Sequence, residues 1–245
     1  MTDEAARRLT WDGCFNVRDV GGYATEDGAT IRWRTLLRAD SLSRLTPAGC
    51  DALVSHGVRT IVDLRGAAEA DEDIHPFGPK GSHVGSAGYL HWPVRDPEDL
   101  ELEALFNATT GLLATYQLNV DRCAPRLAAV VRAFADAPEG GVLIHCQVGK
   151  DRTGIVIALL LALAGVPNET IVADYAPSGA NIRPLYDQWH AAGRSVSYDA
   201  WQSHPGTMQA LLEHLERTHG GVEAYLLAGG VTPEEIARVR ARLRA

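Results

Sequence analysis

The run His145-Cys146-Gln147-Val148-Gly149-Lys150-Asp151-Arg152-Thr153-Gly154 sets a thiol and an arginine five residues apart in a glycine-containing turn. It lies between a short β-branched strand candidate, Val142 to His145, and an apolar helix candidate, Thr153 to Ala164. A turn of this kind points successive N–H groups inward, and the helix behind it adds the positive end of its dipole. The product is a cradle for a tetrahedral dianion. The same field lowers a thiol's pKa and favours the thiolate at Cys146. Arg152 offers a planar fork for two anion oxygens, and Gly149 and Gly154 permit the tight path and a close backbone approach. Gln147, Val148, Gly149, Lys150 and Thr153 are therefore expected around the bound group. A buried structural cysteine is the plain alternative for Cys146, and its neighbours weigh against that.

The elements that hold this turn are legible as strands alternating with helices. Residues 22–37 alternate and carry the turn signal Glu26-Asp27-Gly28, which predicts a hairpin. Thr46 is an N-cap candidate with Pro47 behind it, opening a helix to His56 that stops at Gly57. Val58 to Leu64 predicts a buried strand, and residues 66–88 a loop with one short helix. Tyr89 to Val94 is a further strand candidate. From Pro97 to Phe134 the spacing predicts two helices that break near Asn119 or Pro125. Asn168 is expected to cap the helix after Gly165-Val166-Pro167. Three helices follow at 204–219, 221–228 and 233–243, the last with a capping box between Thr232 and Glu235. The class expected is α/β in three layers, with a mostly parallel central sheet flanked by helices and a helical C-terminal third.

The segment His145–Gly154 resembles the signature loop of the protein tyrosine phosphatase superfamily. Its Gly149-Lys150-Asp151-Arg152-Thr153-Gly154 ending resembles the bacterial and fungal branch of atypical tyrosine, dual-specificity and phosphoinositide phosphatases. Phe15-Asn16-Val17-Arg18-Asp19-Val20-Gly21-Gly22-Tyr23 is similar to that branch's N-terminal motif, and Ile61-Val62-Asp63-Leu64-Arg65 to its D-L-R strand. Asp174-Tyr175, Ser178 and Gly220–Leu226 are similar too. The resemblance runs from about residue 10 to 243 and implies one phosphatase domain over 1–245.

In the reaction so implied, Cys146 attacks phosphorus, a phosphocysteine forms and water then hydrolyses it. Arg152 and the loop amides stabilise the transferred group, and Thr153 donates a hydrogen bond to the departing thiolate. His145 orients the loop. Three carboxyls compete as general acid: Asp151 first, then Asp63, then Asp96. Lys150 is expected on the rim, where it would meet a second phosphate. Arg18 and Asp19 either face the pocket or form a structural brace. A lid over the pocket would come from helices within 97–130 or 178–205. The implied substrates are phosphorylated proteins, with phosphotyrosine foremost, or phosphoinositides. No metal or other cofactor is required, because the loop supplies the positive field.

Composition narrows the alternatives. A net charge of −8 argues against nucleic acid as a partner. The longest apolar run, Ile155 to Val166, is too short to span a bilayer, so no stable membrane insertion is expected. The acidic start Met1-Thr2-Asp3-Glu4 lacks the apolar stretch of a secretion signal. The four cysteines show neither CxxC pairing nor zinc-like spacing. Reduced thiols and a cytoplasmic setting are the expectation. A rhodanese-like sulfurtransferase would have a shorter cysteine-to-arginine spacing, and non-catalytic relatives of phosphatases lose the cysteine or arginine. A nucleotide-binding P-loop would need an upstream glycine and a Ser or Thr where Asp151 stands. The sequence carries no signal for an oligomeric state.

Overall fold

The computed structural model describes residues 4–83, 85–96, 98–194, 197 and 200–245. Five strands form one sheet in the order β1-β2-β5-β3-β4. They are β1 (Arg18–Asp19), β2 (Leu36–Ala39), β3 (Val58–Asp63), β4 (Gly88–His91) and β5 (Gly141–His145). Every pairing is parallel except β1 with β2. The expected α/β architecture with a mostly parallel sheet is the one observed.

Side-chain alternation along the strands splits the core in two. Leu36, Val62, Val142 and Ile144 face a large cluster built mainly by the helices from residue 100 onward. Leu37, Ile61 and Leu143 face a smaller one with Leu53 and Phe77. The sheet is thus the middle of three layers, and β5, buried along its length, runs through its centre. Residues covered on both faces show no hydrophobic alternation. That is why Leu36–Ala39 reads poorly as a strand and why the hairpin expectation fails. The Gly28 turn exists (φ 88°), but it closes only an isolated bridge between Ala24 and Thr30. The strand beyond it pairs in parallel with β5 instead.

The helices are α1 (Glu4–Arg7), α2 (Pro47–His56), α3 (Ala67–Glu72), α4 (Leu100–Ala108), α5 (Leu112–Arg122), α6 (Ala124–Asp136) and α7 (Asp151–Leu163). After these come α8 (Asn168–Tyr175), α9 (Pro177–Ala191), α10 (Pro205–His219), α11 (Val222–Ala228) and α12 (Pro233–Leu243). Thr46 caps α2 through the Gly49 amide, and Gly57 ends it in the left-handed region. The capping box of α12 forms as expected. Where two helices were expected between 97 and 134, three stand. One break falls at Cys123, beside Pro125, and the other at Gly111, whose φ of 88° stops the helical path. Pro167, rather than Asn168, occupies the N-cap of α8. Among the described residues, no helix is long and apolar enough to cross a membrane.

Candidate active site

The loop 146–150 leaves the carboxyl end of the central strand β5 and runs into α7, the crevice position where parallel sheets bind ligands. Its carbonyls are tied down from behind. Asn16 Nδ2 donates to the carbonyls of Val148 (3.1 Å) and Gly149 (3.2 Å), and Arg38 Nη2 donates to Gly149 at 2.7 Å. The Ser41 amide donates to the Gln147 carbonyl. With the carbonyls held outward, the amides of Gln147, Val148, Gly149 and Lys150 donate to nothing among the described residues. Gly149 sits at φ 66°, and a Cβ there would stand 2.2 Å from the Ala39 carbonyl oxygen. Only glycine fits.

Beneath this loop lies a buried polar floor. Asp174 pairs with both Arg18 (3.2 Å) and Arg38 (2.5 Å), and Ser178 accepts from Arg18 at 2.9 Å. Arg18 is therefore a brace, and its carboxylate partner is Asp174. Asp19 is a brace too, accepting from the amides of Gly21 and Arg34.

Cys146 is buried, with 1% of its surface exposed. Its carbonyl accepts from His145 Nδ1 at 3.2 Å, and this bond fixes a chain of tautomers. His145 Nε2 must then be an acceptor, so His75 Nε2, 3.1 Å away, carries the proton. His75 Nδ1 in turn accepts from the Phe77 amide at 3.1 Å. Both rings are neutral in this chain. Burial pushes the pKa of His145 down, and burial with His145 nearby pushes that of His75 down to about 2.

The three carboxyls expected to compete as general acid occupy unlike places. Asp63 is fully buried under the histidine pair and saturated. It takes Nε and Nη2 of Arg65 at 2.8–3.1 Å, the Arg65 amide at 3.0 Å and the Tyr89 hydroxyl at 2.8 Å. Burial pushes its pKa up, but the Arg65 guanidinium and the hydrogen bonds from Arg65 outweigh that and hold the carboxyl below its usual range. The structure therefore places Asp63, expected second as a proton donor, as the buried partner of Arg65 and Tyr89. Asp96 is a surface group paired with Arg126 at 2.5 Å. Asp151 opens α7 with a third of its side chain exposed. Its Oδ1 accepts from the Tyr116 hydroxyl at 2.7 Å, and Tyr116 lies 2.9 Å from the Tyr175 hydroxyl. Its second oxygen makes no bond among the described residues.

Arg152 is gripped end-on by Glu69 of α3, with Nη1 on Oε2 (2.5 Å) and Nη2 on Oε1 (2.7 Å). Burial works against its charge, but Glu69 and the nearby Cys146 and Asp151 raise its pKa above the ordinary value. A guanidinium has a second fork along Nε and one Nη, and here Nε is without a partner among the described residues. Arg152, Glu69, Arg95 and Asp96 line a cavity of about 450 Å³. Thr153 is fully buried, and its hydroxyl has no partner among the described residues.

Lys150 does not stand on the rim. It is 2% exposed and donates to the carbonyls of Ala200 (2.6 Å) and Gln202 (2.9 Å), with Asp151 at 3.5 Å. Its ammonium ties the 200–202 segment to the loop, so the expected contact with a second phosphate is corrected. The Gln147 side chain reaches Asp73 at 3.3 Å. Val148 packs under Ile182, Leu185 and Tyr186 of α9. Both stretches considered for a lid thus meet the loop or the helix start behind it: α5 through Tyr116 on Asp151, and α9 with residues 200–202 through Val148 and Lys150.

Glu69, His75, Arg38 and Tyr116 escaped the sequence reading. Glu69 and His75 lie in the Gly- and acid-rich stretch read as loop, where no spacing marks them. Asn16 was visible only as part of its motif.

A family model described as the tyrosine phosphatase family matches residues 9–245. A tyrosine-protein phosphatase of Nostoc commune is 31% identical over 222 residues, covering 84% of this chain and 73% of that one. A putative tyrosine-protein phosphatase of Cupriavidus necator is 30% identical over 179 residues, covering 69% and 62%. The triple specificity protein phosphatase PtpB of Mycobacterium tuberculosis is 27% identical over 268 residues, covering 93% and 96%. The chain belongs to the tyrosine phosphatase family of hydrolases.

Proposed function

We propose that the chain is one phosphatase domain over residues 1–245 and that it hydrolyses phosphotyrosine through a phosphocysteine on Cys146. The observation carrying this reading is the set of donors in the loop that follows a buried cysteine: four amides without acceptors among the described residues, and Arg152 held by Glu69 with its Nε fork free of partners there. A phosphoryl group supplies three equatorial oxygens for these donors, which stabilise the charge spread over them in the transition state. The Cys146 thiolate forms the S–P bond in line as the P–O bond to the leaving group breaks. Asp151 gives its proton to that oxygen. Water then attacks phosphorus, its proton returns to Asp151, and the P–S bond breaks. The buried Thr153 hydroxyl, without a partner among the described residues, suits a hydrogen bond to the thiolate released in this second step.

Activity on phosphoserine, phosphothreonine or phosphoinositides is the second reading. The name of the mycobacterial relative favours a broad range, whereas Lys150, turned inward, gives no support for a second phosphate at the mouth. Hydrolysis of phosphotyrosine and phosphoserine peptides and of a phosphoinositide, in chelator, tests both. Cys146→Ser is expected to abolish turnover on all three, and rapid quench of the wild type should trap a phosphoenzyme labile in the manner of a thiophosphate. Turnover surviving in Cys146→Ser would overturn the mechanism. Lipid hydrolysis without phosphotyrosine hydrolysis would overturn the substrate.

A further inference from the structure

Outside the loop and the residues that bond to it, Asp121 in the last turn of α5 meets two histidines of α10. His214 Nε2 lies 2.8 Å and His219 Nε2 3.0 Å from the same oxygen, Asp121 Oδ1. We propose that Asp121, His214 and His219 form a binding site for one divalent transition-metal ion, best suited to zinc, that clamps α5 to α10.

The geometry is nearly that of a three-ligand zinc site. Ligands held about 2.0–2.1 Å from a tetrahedral zinc lie about 3.3 Å from one another. Each nitrogen stands about 0.3–0.5 Å nearer the carboxylate oxygen than that spacing, at 2.8 and 3.0 Å, and all three ligand atoms lie within 4.8 Å of one another, so small side-chain rotations admit the ion. Two imidazoles and one carboxylate select zinc, nickel, cobalt or copper over magnesium and calcium, which demand oxygen. A fourth position stays open to water.

The ligands are also held in place. The His219 ring packs edge-on against Tyr225 of α11 at 5.1 Å, and the Tyr225 hydroxyl donates to the carbonyl of Val120, next to Asp121. One buried tyrosine therefore orients a ligand on each helix. Metal binding moves the proton of each ring from Nε2 to Nδ1. For His214, the Thr218 hydroxyl, 3.4 Å from Nδ1, then serves as acceptor, the outer partner that metal-bound histidines usually have. The side chains of Asp121, His214 and His219 are 38%, 12% and 25% exposed, open enough for an ion to enter and buried enough to stay ordered. The buried group Asp63, His75 and His145 has the same composition but not the same freedom, since Arg65 and Tyr89 already occupy Asp63.

Titration calorimetry of the metal-free full chain with zinc chloride, followed by thermal unfolding, tests the site. One equivalent is expected to bind and to raise Tm. Asp121→Asn and His214→Gln, each near in size and able to hydrogen bond, should weaken binding about tenfold or more. Cobalt(II) should give d–d bands without a thiolate charge-transfer band, which separates this site from the four cysteines. Zinc binding unchanged in both variants, a cobalt–thiolate band, or no binding at all would overturn the proposal. Normal wild-type Tm in the metal-free variants would show that any loss of binding is not a loss of fold.

Discussion

Asp151 and Asp63 carry the same functional group into opposite surroundings, and this divides their roles. Asp151 has one oxygen on Tyr116 and the other free at the helix start, whereas Asp63 is saturated and shares a buried pair with Arg65. Asp151→Asn is expected to lower kcat on phosphotyrosine peptides about 10²–10⁴-fold, the usual worth of a general acid. Stability should hardly change. The loss should shrink on an aryl phosphate whose leaving oxygen needs no proton. Asp63→Asn leaves Arg65 buried without its charge partner, and breaking such a pair costs about 3–5 kcal/mol. Its effect should therefore appear as a lower urea midpoint, with kcat per folded molecule largely kept. Steady-state kinetics on both variants, normalised to folded protein, separates the roles. A kcat lost in fully folded Asp63→Asn and kept in Asp151→Asn would exchange them.

At the scale of elements, β5, the loop and α7 act as one unit, and this was the most legible part of the chain. A short β-branched strand, a glycine-bearing turn and an apolar helix are all local signals. The partners that fix the unit are not local. Glu69 is 83 residues from Arg152, and His75 is 70 from His145. No periodicity reports such pairings. Lys150 was misread for a related reason: a charged residue in a catalytic loop reads as exposed, and only the 200–202 segment folding over it turns the ammonium inward. The parallel role of Leu36–Ala39 was hidden because a strand buried on both faces resembles any apolar run. Gly149 carries the clearest test of the unit. A side chain there must adopt positive φ, at about 1–2 kcal/mol, and push the Ala39 carbonyl aside, at about 1–3 kcal/mol. Gly149→Ala should therefore lower the urea midpoint and weaken binding of vanadate, an oxyanion mimic. Gly154→Ala, whose Cβ would press on a side chain, the Tyr175 ring at 3.2 Å, rather than on backbone and needs no positive φ, should do less. Equal effects of the two would show that the loop tolerates a Cβ.

For the molecule as a whole, the neutral histidine chain under the loop sets a pH dependence of folding. His75 is buried against His145, Asp63, Arg65 and His91, and its pKa falls to about 2 in the fold, against roughly 6.5 in an unfolded chain. His145 is shifted in the same direction. Below about pH 6.5 the unfolded chain therefore takes up protons that the folded protein refuses, and stability falls as pH falls. His75 contributes about 1.4 kcal/mol per pH unit over this range, and His145 acts with the same sign. Above it the contribution is complete and constant. The depressed carboxyls Asp63, Glu69 and Asp174 have the same sign, but they act only below the ordinary carboxyl pKa of about 4. The window from about pH 6.5 to 4.5 thus belongs to the histidines. His75→Gln keeps the local bonds, because its amide NH2 can donate to His145 and its carbonyl can accept from Phe77. Urea unfolding of wild type and His75→Gln across that window should show the variant's slope reduced by about 1.4 kcal/mol per pH unit. Identical slopes would mean that His75 takes up its proton in the folded state. The tautomer chain that orients His145 beneath Cys146 would then not exist as drawn.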